Sequence, residues 1–371
     1  MKDMKNLYAI DTLDLAGEPY EIGTAFGQAL AMDRSRLSEF QVFVRHENAE
    51  IKALPTYTQR ALNEVLTLLA RESPAIVEWL KGMAVQLNLP VPELLLFNIG
   101  SYFRDLMIGL DSRSHRTPDQ DGDGCSTFAI SDSEQGPIMA KNRDCDSAFG
   151  PWQVMIRVRP GKGLGYMAMT TYGVAGVNSS GMNVEGLAIA DTHVTSLDIG
   201  CGLPRFAIID KILNQCATVN EALGLIMQQP LMGRGNLILA DAAGALALAE
   251  LGHRSCAVRR SVGEYIVNTN HFTDPLLQKA FLDPQPSPLR GTSLARYSRL
   301  STLIVAGCRN LEEAQRIMTY HGTALDALCR HEELNPPSRT ISVVFYLPRQ
   351  KKAVFFGGYP CVADYQELTW K

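Results

Sequence analysis

The sequence predicts an α+β protein in which two sheets stack face to face with helices outside, on three observations. The first third of the 371 residues reads almost wholly as helix. The character changes to short strands after Cys125. Beyond that point strands and helices come in blocks, not in the regular alternation of a βαβ chain.

Taken in order, residues 1–16 are extended in character. From Pro19 to about Glu47 the pattern is helical, with Ile22, Phe26 and Leu30, then Leu37, Phe40 and Val44, at spacings of three and four within each set. Tyr57–Arg71 and Ser73–Leu87 follow, the second with Ser73 as N-cap and Pro74 in its first turn, and then Val91–Met107. Residues 111–124 (DSRSHRTPDQDGDG) contain no aliphatic or aromatic residue and read as a loop. Asp119, Asp121 and Asp123 look like the start of a calcium loop, but its twelfth position falls on Ile130, where a bidentate Glu is required.

Ser126–Ser131, Pro137–Asn142, Gln153–Arg159 and Gly165–Tyr172 read as strands between Gly, Pro and Asp turns. Gly173–Asp191 reads as a hairpin turning at Asn178-Ser-Ser-Gly181. Helices are predicted at Leu203–Ala217 and Val219–Gln228, and strands at Asn236–Asp241, Ala245–Leu251, Ser255–Arg259 and Glu264–Asn268. Helices at Ser293–Ala306 and Leu311–Tyr320, strands at Ile341–Pro348 and Ala353–Gly357 and an irregular tail complete the chain.

Composition bounds the function. With 46% hydrophobic and 20% charged residues the chain can bury a sizeable core, as one large domain or two modest ones. A formal net charge of −4 and the lack of a basic run argue against nucleic acid as a partner. No stretch of about 18 uninterrupted apolar residues suggests a membrane span, and the start has acids where a signal peptide needs its apolar run. The expected location is the cytoplasm. The eight cysteines (Cys125, Cys145, Cys201, Cys216, Cys256, Cys308, Cys329 and Cys361) are scattered, with no CxxC pair, so neither a disulfide framework nor a metal site is expected.

The chemistry gathers at Asp121-Gly-Asp-Gly-Cys125-Ser-Thr, where a cysteine stands between a glycine-broken loop and an apolar strand. Gly124 frees the peptide before Cys125 from the restrictions of a Cβ, and a strained, exposed peptide beside a thiol invites attack on its own preceding carbonyl. If the thioester hydrolyses, Cys125 becomes an N-terminus whose amine, with an ordinary pKa of about 7.7–8.0, can act as general base for its own sulfur. The plainer reading is one buried thiol among eight. Ala140-Lys-Asn-Arg-Asp-Cys-Asp146 ends the next strand, and a hairpin sets it beside Cys125. A cation there, Lys141, favours thiolate, and Asp144 can hold the α-ammonium. A solvated charged turn is the competing interpretation. His193 and His271 offer a second one, a thiol–imidazole couple with Cys125.

Several stretches, in order, resemble the penicillin acyltransferase family of cysteine N-terminal-nucleophile hydrolases, with choloylglycine hydrolase and acid ceramidase as more distant relatives. Gly17-Glu-Pro-Tyr-Glu-Ile-Gly23 with Phe26-Gly27 is similar to the opening of that family's propeptide, and Gly124-Cys125-Ser-Thr to its processing junction. Asn142-Arg143-Asp144 resembles its Asn-x-Asp element, with Lys141 where relatives often carry Arg or Gln. Gly176-Val-Asn-Ser-Ser-Gly181 and Glu185-Gly-Leu-Ala188 resemble the hairpin lining the acyl site. Val267-Asn-Thr-Asn-His-Phe272 resembles the segment whose asparagine, here Asn270, helps form the oxyanion hole. Ser293-Leu-Ala-Arg296-Tyr-Ser-Arg299 resembles its serine- and arginine-bearing helix, and Cys329-Arg-His331 with Gly357-Gly-Tyr-Pro-Cys361 its structural C-terminal stretches.

The resemblance implies a four-layer αββα sandwich, the N-terminal-nucleophile hydrolase fold, with residues 1–124 as a helical propeptide that stays bound and 125–371 as the catalytic part. It implies cleavage between Gly124 and Cys125, then hydrolysis or transfer of an acyl group from a small-molecule amide or acyl-CoA. The implied catalytic set is Cys125, Asp144, Asn270, Lys141 and Arg299, with Leu187, Ala188 and Arg296 on the substrate. Arg296 and Arg299 lie three apart on one helix face, so one can face the site while the other pairs on the surface. No cofactor is implied; the partners are the two subunits from one precursor, and a homo-oligomer is compatible with them. An unprocessed binding or scaffold protein with the same sandwich is the alternative from another class.

Overall fold

The computed structural model describes residues 9–52, 57–110, 124–194, 196–261, 264–280, 288–323, 325–331 and 338–370. Asp119, Asp121 and Asp123, and with them nearly all of the expected loop, lie outside these residues. The chain begins with β1 (Asp11–Gly17), α1 (Pro19–Ala31), α2 (Arg34–Lys52), α3 (Tyr57–Glu72), α4 (Pro74–Leu87) and α5 (Val91–Leu110). Then come β2 (Ser126–Ile130), β3 (Ile138–Cys145), β4 (Gln153–Pro160), β5 (Tyr166–Thr171), β6 (Ser180–Asn183) and β7 (Ala188–His193). Two helices, α6 (Arg205–Gln215) and α7 (Val219–Gln228), precede β8 (Gly235–Ala240), β9 (Leu246–Leu251), β10 (Cys256–Arg260) and β11 (Tyr265–Asn268). Last are α8 (Pro288–Ala306), α9 (Leu311–Met318), β12 (Arg339–Leu347), β13 (Lys352–Gly357) and β14 (Gln366–Thr369).

These strands form an eight-stranded sheet, β1-β4-β5-β6-β7-β8-β9-β10, and a six-stranded sheet, β11-β2-β3-β12-β13-β14. Alternate residues of each strand serve different cores, as the two-residue period requires. Met155, Met167, Met169 and Met182 of the larger sheet meet Ala129, Met139, Tyr346 and Phe355 of the smaller one in the layer between the sheets. On the outer face of the larger sheet, Ile156, Tyr166 and Leu239 share a core with Phe26, Trp79 and Phe206 of the helices. On the outer face of the smaller sheet, Phe128, Val343 and Phe345 pack against Leu300 of α8 and Ile317 of α9. The result is the αββα sandwich. With both faces of each sheet covered, central strands such as β2 and β5 are buried at every residue.

The N-terminal segment is built into this architecture: β1 pairs in parallel with β4 at the edge of the larger sheet. Two glycines bring α1 and α4 into backbone contact. A Cβ at Gly23 would lie 2.1 Å from the Trp79 carbonyl oxygen, and one at Gly82 would lie 2.2 Å from that of Tyr20.

Three elements differ from the sequence expectation. The helical run from Pro19 breaks into α1 and α2 at Asp33, whose Oδ1 accepts from the N–H of Ser35 (2.9 Å) and of Arg36 (3.1 Å) and so starts a new helix. The hairpin turns at Glu185-Gly186, where Asn183 Oδ1 accepts from the N–H of Glu185 and of Leu187, both at 3.1 Å. Ser180 and Gly181, expected in the turn, are paired strand residues. The tail supplies β14, paired with β13. No described helix is long and apolar enough to cross a membrane.

Candidate active site

Cys125 leads into β2 and is 7% exposed. Antiparallel pairing of β2 with β3 sets Ser126 opposite Asn142, and the Gly124 N–H donates to the Asp144 carbonyl at 2.9 Å. Asp144 thus stands beside the Gly124–Cys125 peptide. Its Oδ1 accepts from Thr340 Oγ1 at 2.7 Å, across the β3–β12 ladder. Gly124 lets the guanidinium come close: a Cβ there would fall 1.8 Å from Arg330 Nη1 and 3.3 Å from Asp144 Cβ, so Arg330 would have to withdraw.

Two buried arginines frame the thiol. Arg296, on α8, is 1% exposed; its Nη1 donates to the Cys125 carbonyl (2.6 Å) and Ser126 Oγ (3.0 Å), and its Nη2 to Asn270 Oδ1 (3.1 Å). Asn270 is held further by its Nδ2 donating to the His193 carbonyl (3.0 Å) and its N–H to Ser293 Oγ (2.9 Å). Arg296 is therefore the bridge from Cys125 to Asn270. Arg330, 3% exposed, lies against Gly124, and neither Nη1 nor Nη2 has a hydrogen-bond partner among the described residues. Burial pulls Arg296 down to about 10, helped by the charge of Arg330 and opposed by Asp144 and Cys125. Arg330 is lowered for the same leading reason and opposed by the same two groups. Two guanidinium groups beside a thiol favour its thiolate form and any oxyanion formed next to it.

The structure brings Gly124, Cys125, Asp144, Asn270 and Arg296 together, with Arg296 of α8 turned into the site and Arg299 of the same helix turned out of it. Arg299, expected among the catalytic groups, turns outward: its Nε donates to Asp326 Oδ2 at 2.8 Å and its guanidinium lies over Tyr320. Lys141 is buried but fully engaged. Its three ammonium hydrogens correspond to three acceptors, the carbonyls of Ser179 (3.1 Å) and Asp191 (2.7 Å) and Asp191 Oδ1 (2.7 Å), which leaves no donor for the thiol. Leu187 and Ala188 are not at this end of the molecule. Ala188 starts the strand that His193 ends, roughly 17 Å away at 3.3 Å per residue, and the Leu187 N–H is taken by Asn183 Oδ1. Of the histidines, His193 Nε2 meets Arg234 Nη2 at 2.7 Å, and His271 Nδ1 meets Ser293 Oγ at 2.8 Å.

Arg330 is the residue that sequence reasoning left out of the site. Its signal was present in Cys329-Arg-His331, read as structural. The Asn142 side chain explains its position: Nδ2 donates to the carbonyls of Met318 (2.9 Å) and Leu328 (2.8 Å), fastening the segment that leads into Arg330 onto β3. A separate cleft beneath the N-terminal helices, lined by Ile22, Trp79, Tyr166 and Asp210, includes none of the residues around Cys125.

Residues 131–360 match the model of the acyl-coenzyme A:6-aminopenicillanic acid acyl-transferase family, well over half of the chain. The chain belongs to that family. The match takes in Asp144, Asn270, Arg296 and Arg330 and begins just after Cys125. No curated protein matches the sequence. Among solved structures, it is similar to penicillin V acylase from Agrobacterium tumefaciens, with 16% identity and a TM-score of 0.43 over 63% of this chain and 83% of that one. It is also similar to a mutant of conjugated bile acid hydrolase from Clostridium perfringens (10% identity, TM-score 0.42, 67% of this chain and 97% of that one) and to a second variant of that hydrolase (12%, 0.43, 67% and 97%). At these values the fold rests on its own strand pairing. For an acyl-transferase family the expected partners are small molecules.

Proposed function

We propose that the chain is a self-processing N-terminal-nucleophile acyltransferase or amidohydrolase, cut between Gly124 and Cys125 into residues 1–124 and 125–371. The observation that carries this reading is the enclosure of one peptide by Asp144, Arg296 and Arg330, with a thiol on its C-terminal side. Cys125 Sγ attacks the Gly124 carbonyl carbon, the C–N bond breaks, and the nitrogen takes the proton. Water then cleaves the thioester, returning the thiol and leaving a carboxylate on Gly124. The Arg330 guanidinium, packed against Gly124, receives the negative charge that develops there.

After cleavage the Cys125 amine is the base and its sulfur the nucleophile. Asp144 orients the α-ammonium. Asn270 Nδ2 has a second hydrogen beyond the one given to His193, and it serves the oxyanion; such a donor is worth about 2.7–4 kcal/mol. Arg296 fixes Asn270 relative to Cys125. The acyl donor is an amide or an acyl-CoA thioester, the latter by analogy with the family's named reaction. Water or an amine accepts the acyl group. Because β1 and α1–α5 share a core with the larger sheet, the N-terminal piece stays bound after the cut.

Intact mass and a denaturing gel test the reading. Wild-type protein runs as two chains, and Cys125→Ala as one inactive chain of 371 residues. Two bands from Cys125→Ala, or one unbroken wild-type chain that turns over acyl substrates, would end it.

A further inference from the structure

The sequence scatters its cysteines and histidines, but the fold collects four of them. His321, Cys329, His331 and Cys361 offer one ligand atom each, all within 4.8 Å of one another. Cys329 Sγ and Cys361 Sγ stand 3.3 and 3.4 Å from His331 Nε2. In a tetrahedron with metal–sulfur bonds of about 2.3 Å and metal–nitrogen bonds of about 2.0–2.1 Å, that edge is about 3.5 Å. We propose that these four side chains form a structural zinc site, which replaces the expectation of no metal.

Three separate segments are fixed so that they meet here. His321 follows α9, and the neighbouring Tyr320 carbonyl accepts from the N–H of Leu328 (2.8 Å) and of Cys329 (3.0 Å), closing the loop onto itself. Cys361 sits in a short turn after β13. His331 is held flat against Tyr359, with ring centroids 3.8 Å apart and an interplanar angle of 13°. The ring is thereby aimed at both sulfurs.

The chemistry of the donors selects the ion. An imidazole nitrogen carries one lone pair or one N–H, so it can satisfy only one of two sulfurs at a time, whereas a cation among them satisfies all four ligands. Two thiolates and two neutral imidazoles neutralise a divalent ion, so the site can be buried without net charge. Soft sulfur with imidazole in a closed four-ligand set favours zinc over calcium or magnesium. Cys329 is buried, His331 and Cys361 are half-buried, and exposed His321 supplies the route of entry. Arg330 lies between two of the ligands, so the ion also fixes the backbone that carries it.

The test is elemental analysis of the full chain, purified without chelators or a histidine tag from zinc-supplemented medium. It is run on wild type and on Cys125→Ala, so the result does not depend on processing. We expect about one zinc per chain in both, loss of it in Cys361→Ser and His321→Ala, and retention in Cys308→Ser, a thiol outside the cluster. Wild-type protein stripped by chelation should regain its melting temperature when zinc alone is added, a readout that survives if the variants fail to fold. Wild type without stoichiometric zinc, zinc retained in Cys361→Ser, or a Cys329–Cys361 disulfide in the peptide map would overturn the proposal.

Discussion

Two buried basic centres touch β3, one at Lys141 and one at Asp144, and they differ in what their charges face. At Asp191, Lys141 and Arg205 are each paired with one carboxylate: Lys141 reaches Oδ1 at 2.7 Å, and Arg205 reaches Oδ2 through Nη2 at 3.1 Å. Burial alone would raise the Asp191 carboxyl, but the charges of Lys141 and Arg205 hold it below the ordinary carboxylate range. At Cys125, Arg296 faces a carbonyl, a hydroxyl and an amide oxygen, and the terminal nitrogens of Arg330 make no hydrogen bond among the described residues, the Asp144 carboxylate acting on them through charge alone. A satisfied cation ties strands together. One without a hydrogen bond in a dry place is held against its desolvation penalty by the charges of Asp144 and Cys125 alone, and donors left open in this way suit a negative charge that develops during reaction.

The comparison is broken most directly at Lys141. Replacing it by Met leaves Asp191 buried with one partner fewer, which costs about 3–5 kcal/mol. Denaturant midpoints should fall accordingly, with processing of the folded fraction intact. The acid side supplies a signature. A carboxyl depressed by folding contributes stability that is present above its unfolded pKa, near 4, and is lost as pH falls through the folded value. In Lys141→Met that loss should shrink. A variant as stable as wild type yet uncut would return Lys141 to the catalytic set.

Arg330 supplies the converse expectation. Arg330→Gln should slow cleavage after Gly124 by about a hundredfold, from loss of charge beside the developing oxyanion. Stability should change little, because relief of the desolvation penalty is offset by loss of the attraction between the guanidinium and the buried Asp144 carboxylate. Lysine should not rescue the rate, since a point charge on a flexible stem does not reproduce a planar guanidinium packed on a peptide. Both are read from the time course of two-chain formation against the urea midpoint. A large loss of stability with normal cleavage would make Arg330 another structural cation.

The periodic parts of this contrast were open to sequence reading and the rest were not, for physical reasons. Phe26, Phe40 and Phe128 announce buried faces because burial of carbon follows the period of a helix or strand. The pairing of β2 with β3 was visible as spacing, so the nearness of Asp144 to Cys125 could be expected. Which of Arg296 and Arg299 turns inward depends on how α8 is rotated on the smaller sheet, and no period encodes that between two arginines. Lys141 could be placed near the thiol, but Asp191, which engages it, lies 50 residues on and belongs to the other sheet. Leu187 and Ala188 were misjudged because the turn was set at Asn178 and not at Gly186, which exchanges the two ends of β7. The four ligands of the metal cluster were missed for a related reason: Cys329 and His331 stand with a single residue between them, which is not a usual ligand spacing, and the ligands that complete the set come from the end of α9 and from a turn after β13.

The mildest test uses a half-buried carboxyl outside both centres, with no cation among the groups that shift it. Asp210 on α6 is enclosed beside Tyr166, whose hydroxyl donates to it, and burial raises its carboxyl to about 6 in spite of that bond. The sign is opposite to that of Asp191. A carboxyl whose folded pKa lies above its unfolded value of about 3.9 binds more protons when folded, so stability declines as pH rises from about 4 to about 6 and the penalty is complete above that. A rise from about 3.9 to about 6 corresponds to roughly 2–3 kcal/mol at neutral pH. Asp210→Asn keeps an acceptor for Tyr166 and removes the charge. Its unfolding free energy at pH 7, from urea denaturation, should therefore exceed that of the wild type by up to about 2–3 kcal/mol, and the gap should close by pH 4. Processing should be unchanged, because the residue lies beneath the N-terminal helices, away from Cys125. Equal stability of the two proteins across this range would mean that a carboxylate without a cation is tolerated here without penalty, and the inference drawn from Arg330's missing hydrogen bonds would lose its physical basis.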